Sequence, residues 1–173
     1  MLLLKLQLGA CEGVDFAAQA SAFAQGVVPA LALRRVAVST EEALAYVYFD
    51  FEAGGSSSSP PQPLDAADAL AGAFAAAHAW CASAEGVWLD SVFDVPGASA
   101  GEAARFHYVV ETDADDGWFD EIARWYDEEH MPGLAAVPGC IRAQRVAASA
   151  TASQRLAVQC AMRSATSSRD TML

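Results

Sequence analysis

Residues 125–133 read WYDEEHMPG and crowd two aromatics, three acids and a histidine into nine positions. An adjacent carboxylate and imidazole, Glu129 and His130, can take and return a proton if both face a ligand. Trp118, Trp125 and Tyr126 offer flat apolar surface that suits the wall of a pocket, although aromatics at helical spacing serve equally as core. On a wheel advancing about 100° per residue, Trp118, Phe119, Ile122, Trp125 and Tyr126 form one stripe. Asp120, Glu121, Arg124, Asp127 and Glu128 fall on the solvent side, Glu129 lands inside the stripe, and His130 lies at its edge.

A carboxylate aimed at a core is costly unless it is paired, hydrated or neutral. Two readings of Glu129 stand. Either it faces a cavity, where burial tunes a carboxyl group for acid–base work, or the last helical turn overhangs the sheet and Glu129 pairs with Arg142 or Arg145. His130 sits one turn from Asp127, near a helix C-terminus, which suits it to hold an anionic group or donate a proton. As a structural residue it would instead cap the helix.

The remaining histidines are weaker candidates. His78 follows Phe74 by one turn in an alanine-rich segment and reads as a partly buried structural residue. His107 lies opposite the apolar face expected from Phe106, Tyr108 and Val110, on the side away from the helices. Asp127 and His130 have the carboxylate-x-x-His spacing of carboxylate-bridged metal bundles, but other helices offer only Asp15, Asp65, Asp68 and His78 as partners, so no metal is expected. A phosphate-cradling glycine loop, a dinucleotide fingerprint and a nucleophile elbow are all absent, and no cofactor is expected.

The elements that must carry these residues follow from periodicity. Leu2, Leu4, Leu6 and Leu8 alternate with Lys5 and Gln7 as in a half-buried strand. Residues 16–25 have helical spacing, and Pro29 bars continuation. Strands are expected over 30–38 and 43–51, a glycine-serine-proline loop over 53–63, a helix over 64–82 broken by Gly86, and a strand over 87–93. This is the β-α-β-β-α-β order of a ferredoxin-like unit, spanning 1–95. After a linker at 96–102 the pattern restarts. A strand is expected over 105–111, a helix over 116–131 stopped by Pro132 and Gly133, and strands over 141–148 and 155–162. This second unit, 103–163, lacks a final helix and strand, and residues 164–173 form a polar tail.

The units align by landmarks. Phe16, Phe23, Pro29 and Leu31 have the mutual spacings of Phe119, Tyr126, Pro132 and Leu134, which sets Gly26 and Val27 opposite Glu129 and His130. One copy keeps a polar pair where the other is apolar. Two such units can bury their open sheet faces against each other within one chain.

The run FDEIARWYDEEHMPGLAAVPGCIRAQRV resembles the dimeric α+β barrel superfamily, most closely its EthD-like and related uncharacterised members. The shared features are an aromatic-rich helix ending W-Y-x-x-E-H-x-P, a V-P-G loop and an arginine-bearing strand. The resemblance implies an α+β fold of tandem ferredoxin-like units with antiparallel sheets packed as a barrel, and a pocket between sheet and helices. It points to His130 as the residue to suspect. Relatives include cofactor-independent monooxygenases, lactone isomerases, polyketide cyclases and haem-binding branches, so fold does not choose the activity. No haem ligand can be chosen among the three histidines.

Composition narrows the partners. A net charge of −12, from 22 acids against 10 bases, repels phosphate backbones and anionic lipid, so nucleic acid and membrane are not expected partners. The mean hydropathy of +0.21 rests on alanine, and the longest apolar stretch, 69–82, is too short to span a bilayer. The opening MLLLKLQLGAC has Lys5 where a signal needs apolar residues, which favours a cytoplasmic protein. Cys11, Cys81, Cys140 and Cys160 are scattered and read as free thiols.

Together these features describe a protein that binds a small apolar or aromatic, carbonyl-bearing molecule. In the catalytic version Glu129 and His130 transfer protons while Trp118, Trp125, Tyr126 and Arg142 hold the substrate. In the alternative the barrel is a non-catalytic binding or structural protein. A homodimer that completes the shortened second unit is a further expectation.

Overall fold

In the computed structural model the alternating leucines form β1 (Leu2–Leu8), and Leu2, Leu4 and Leu6 are almost wholly enclosed. The structure describes residues 1–27, 31–51, 64–113, 115, 117–148 and 155–162, the backbone alone for residues 64, 65, 113 and 155–162. The expected loop at 53–63, the Pro29 stop and the tail at 164–173 lie outside these residues. The chain divides into two compact units, Met1–Asp90 and Ser91–Ala148, the latter joined by the last strand.

In the first unit β1 is followed by α1 (Phe16–Val27), β2 (Leu31–Ser39), β3 (Leu44–Phe51), α2 (Leu64–Ala77) and β4 (Cys81–Pro96). The strand order is β2-β3-β1-β4, antiparallel throughout. Ala20 and Ala24 of α1, Ala67, Ala71 and Phe74 of α2, and the even-numbered leucines of β1 form one core. Small residues on both helices allow close approach, and Phe74 fills the remaining volume. Leu3 and Tyr48 are also buried, so β1 is enclosed on both faces near its start rather than half-buried.

Two expectations about this unit change. Helix α2 ends five residues early, at Ala77, and β4 begins at Cys81 and runs sixteen residues. Residues 81–86 have poor intrinsic strand preference, but β1 captures them in register from Leu8 opposite Cys81 to Leu2 opposite Trp88. Gly86 is therefore no break. It sits mid-strand beneath α2, where a Cβ would collide with the Ala67 carbonyl.

The second unit contains β5 (Phe106–Asp113), α3 (Phe119–Trp125), a π-helical turn (Tyr126–His130), α4 (Met131–Ala135), β6 (Cys140–Ala148) and β7 (Arg155–Met162). Its strands lie in the order β6-β7-β5, with the final residues of β4 beside β6. The helical run does not stop at Pro132 and Gly133 as expected but continues to Ala135. Its end is tied down by the segment after β4: Ala98 N–H donates to the Ala135 carbonyl at 2.8 Å and Ser99 N–H to that of Cys140 at 2.8 Å. Tyr126, Met131, Ala135, Cys140 and Ala143 make a small separate core, with Val110, Phe119 and Ile122 packed against it. Phe106 and Tyr108 do not meet the helices as their parity with Val110 suggests, because the helical cover reaches only the Val110 end of β5.

Candidate functional site

The WYDEEH run forms the π-helical turn. Met131 N–H donates to the Tyr126 carbonyl, five residues back, where an α-helix would reach four. Proline explains the location. Inside an α-helix the Pro132 ring would clash with the carbonyl of Glu128 and leave it without a donor, whereas a widened turn just before the ring relieves the clash.

The extra residue resets the phase of everything after Tyr126. The buried positions become Tyr126, Met131 and Ala135, spaced five and then four, with half-buried Ile122 four residues before Tyr126. Glu129, expected inside the apolar stripe from an uninterrupted 100° advance, is exposed, and so is His130. The core-facing Glu129 is thus a correction, and its cause is the widened turn. The aromatic stripe divides too. Tyr126 is buried, while Trp118 and Trp125 are 57% and 44% exposed.

The same widening builds a new cluster. Residues five apart share a face in a π turn, and the His130 imidazole lies against the Trp125 indole with centroids 4.8 Å apart and planes 30° apart. Tyr126 meets both rings edge-on, at 5.0 Å from Trp125 and 5.1 Å from His130. An imidazole held between an indole face and a phenol edge has restricted orientation, although the residue itself is exposed. Glu129 adjoins it on the exposed side of the turn.

Asp127, expected in solvent, instead forms a two-bond fork with Arg145 of β6: Nε donates to Oδ1 at 2.8 Å and Nη2 to Oδ2 at 2.6 Å. Arg145 is only 5% exposed, and a buried guanidinium without a carboxylate would be strongly destabilising. The pair therefore clamps the π turn onto the sheet. Neither arginine meets Glu129 through any of these bonds. Arg142, a candidate substrate ligand, forks onto Asp94 of β4, with Nε donating to Oδ1 at 2.7 Å and Nη2 to Oδ2. The buried Gln144 amide donates to Ser91 Oγ at 2.9 Å.

Sequence reasoning missed Asp127, Asp94 and the Gln144–Ser91 pair. One signal was available: Arg145 shares strand parity with the apolar Ala143, so a cation on that face needed a carboxylate from the covering helix. His78 is buried in the first unit, its Nδ1–H donating to the Phe74 carbonyl at 2.8 Å among the rings of Phe74, Trp80 and Phe23. It is structural. His107 is half-buried on β5. Among the described residues no three His, Cys, Asp or Glu side chains are grouped as a metal requires, and no helix is long and apolar enough to cross a membrane.

No protein-family model matches the sequence, and no curated protein matches it. The fold is similar to that in the crystal structure of a protein described as a "putative monooxygenase" from Lactobacillus acidophilus NCFM. The TM-score is 0.58 at 11% identity, over 92% of this chain and 75% of that one. The likeness is one of fold, an α+β protein with antiparallel sheet.

Proposed function

We propose that the chain is a small-molecule-binding protein of the dimeric α+β barrel type, with its ligand contact at the π turn of the second unit. The observation that carries this reading is the Trp125–His130–Tyr126 cluster, in which an exposed indole and an oriented imidazole share one face. Helical widening at a π turn recurs at functional sites because it costs hydrogen-bond geometry and persists where it positions side chains. An apolar or aromatic carbonyl compound suits the surface. The indole stacks on its ring, and His130 with Glu129 exchanges a proton at the carbon next to the carbonyl, without a cofactor. Arg142 keeps a secondary role, since Asp94 already holds two of its donors.

The tandem reading belongs to this proposal. Strand orders β2-β3-β1 and β6-β7-β5 follow the same β-α-β-β succession, which supports two ferredoxin-like units with the site kept in the second. The structural match supports the fold and leaves the chemistry to the residues.

A second reading, non-catalytic binding, is favoured by the exposure of Glu129 and His130, which leaves no dry site for proton transfer. One experiment separates the two. Acetophenone is incubated with the protein in D2O, and methyl-proton exchange is followed by NMR, with binding read from saturation transfer. Catalysis predicts accelerated exchange that His130→Ala abolishes and Trp125→Ala weakens about tenfold through binding. Saturation transfer without exchange selects the binding protein. A His130→Ala variant that keeps its melting temperature and full ligand affinity removes His130 from either role.

A further inference from the structure

The first unit holds a polar group that its own fold does not use. Trp88 of β4 is 4% exposed, and its indole Nε1 is the one buried side-chain nitrogen or oxygen among the described residues with no hydrogen-bond partner. Burying an N–H without an acceptor is costly, and folded proteins rarely leave one so. The sheet register shows what surrounds it. Leu33, Phe49, Leu2 and Trp88 form one row across β2, β3, β1 and β4, on the face that meets the helices. Phe51 places its ring 5.3 Å from that of Trp88, tilted by 35°. Gly86, two residues before Trp88 on the same face, lies against the Ala67 carbonyl. Helix α2 runs antiparallel to β4, since the chain turns back between Ala77 and Cys81. Two strand residues span about 6.6 Å and one helical turn about 5.4 Å, so Trp88 comes beneath the first turn of α2. Leu33, Phe51 and Ala66 at this end of the core are only partly buried, which gives the cluster an apolar rim.

We propose that Trp88 is the hydrogen-bond donor of a second ligand site, one that takes a neutral, apolar molecule with a single carbonyl oxygen. An indole N–H donates and cannot accept, so its partner is an acceptor. A lone water suits the place poorly, because a buried water uses about three polar partners. The other buried polar side chain described in the first unit, His78, lies beside Phe74 and Trp80 at the far end of α2. A carboxylate suits it no better. Its second oxygen would meet hydrocarbon, and exposed Asp90 follows Trp88 by two residues on the same face and repels a negative charge. The oxygen of a ketone, aldehyde or ester bonded to Nε1 leaves the rest of the molecule to Leu33, Phe49 and Phe51, the mixture of apolar wall and single polar contact that holds small ligands. No residue of the π turn takes part, so this site stands or falls apart from the one proposed there.

The test follows the indole N–H resonances of the 15N-labelled full chain as acetophenone is added, with ethylbenzene, the same body without the oxygen, as reference. The Trp88 resonance is recognised by its contact with the Phe51 ring. Both titrations are repeated in Trp125→Ala, which weakens the contact at the π turn. Acetophenone should move the Trp88 indole proton downfield in either background, and ethylbenzene should not. Trp88→Phe, which keeps an aromatic ring and removes the donor, should weaken the saturation transfer to acetophenone that remains in Trp125→Ala, by about threefold to tenfold in affinity. If Trp88→Phe does not fold, the titration of the unaltered chain decides. A Trp88 resonance that acetophenone leaves in place, an equal shift with ethylbenzene, or a water on Nε1 that acetophenone does not displace overturns the proposal.

Discussion

Helix α1 and the helical run from Phe119 to Ala135 each link a first strand to a second, yet they are built for different ends. Helix α1 is an uninterrupted α-helix that buries Ala20 and Ala24 and has neither an acid in its first turn nor a base in its last. The second run carries acids, a histidine and a tryptophan, follows directly on Trp118, and widens into a π turn midway. Aromatics follow the same division. Phe16, Phe23, Phe74, His78 and Trp80 interlock in the first unit. Phe106, Tyr108, Trp118 and Trp125 of the second remain exposed. The first unit uses its large side chains to hold itself together, and the second displays them. A site for a ligand belongs where aromatic surface is left over.

The largest expected effect tests that division. Phe74→Ala in the first unit should cost about 3–5 kcal/mol, because Phe74 is fully enclosed and touches the rings of Phe23, His78 and Trp80. Phe106→Ala, at an exposed position of the second unit, should stay within about 0.5 kcal/mol. Urea denaturation of both variants reads the contrast, and equal losses would dissolve it.

The next effect concerns the clamp beneath the π turn. Asp127→Ala leaves the buried Arg145 guanidinium without its fork and should cost about 3 kcal/mol. The double variant Asp127→Ala with Arg145→Met removes the stranded charge as well, and should recover most of that loss. A double variant no more stable than Asp127→Ala alone would show that the pair is not the main restraint on the turn.

Much of this fold is legible in the residues, and the parts that are not share a physical reason. The alternation of Leu2 to Leu8 and the helical spacing from Phe16 to Phe23 reveal their elements because burial acts at the natural period of each. The early part of β4 is hidden, since Cys81 to Gly86 are held by the register of β1 and not by their own preference. The Glu129–His130 pair was visible as chemistry but not in its orientation. A wheel of fixed pitch cannot show a widened turn. The clue lay in the apolar positions Ile122, Tyr126, Met131 and Ala135, spaced four, five and four, with a proline directly after the long step.

That spacing supplies the most specific prediction. If the π turn holds one residue more than an α-helix needs, deleting Glu128, an exposed residue, should remove the excess and bring Met131 to four residues after Tyr126. The buried face Ile122, Tyr126, Met131 and Ala135 would then run at an even spacing of four, but the Pro132 ring would meet the carbonyl four residues before it, so stability should fall by about 3 kcal/mol. The Trp125–His130 stack should persist, because the deletion brings these residues to a spacing of four, which shares a face in an α-helix as five does in the π turn. The ring-proton shifts of His130 in an NMR spectrum report the indole above it and should stay displaced from those of a solvated histidine. Any exchange activity towards acetophenone should persist with them, since neither side chain has been altered. A deletion variant that unfolds would show that the widened turn is required by the core. One that keeps the wild-type stability would show that the Pro132 ring is not what places the widened turn.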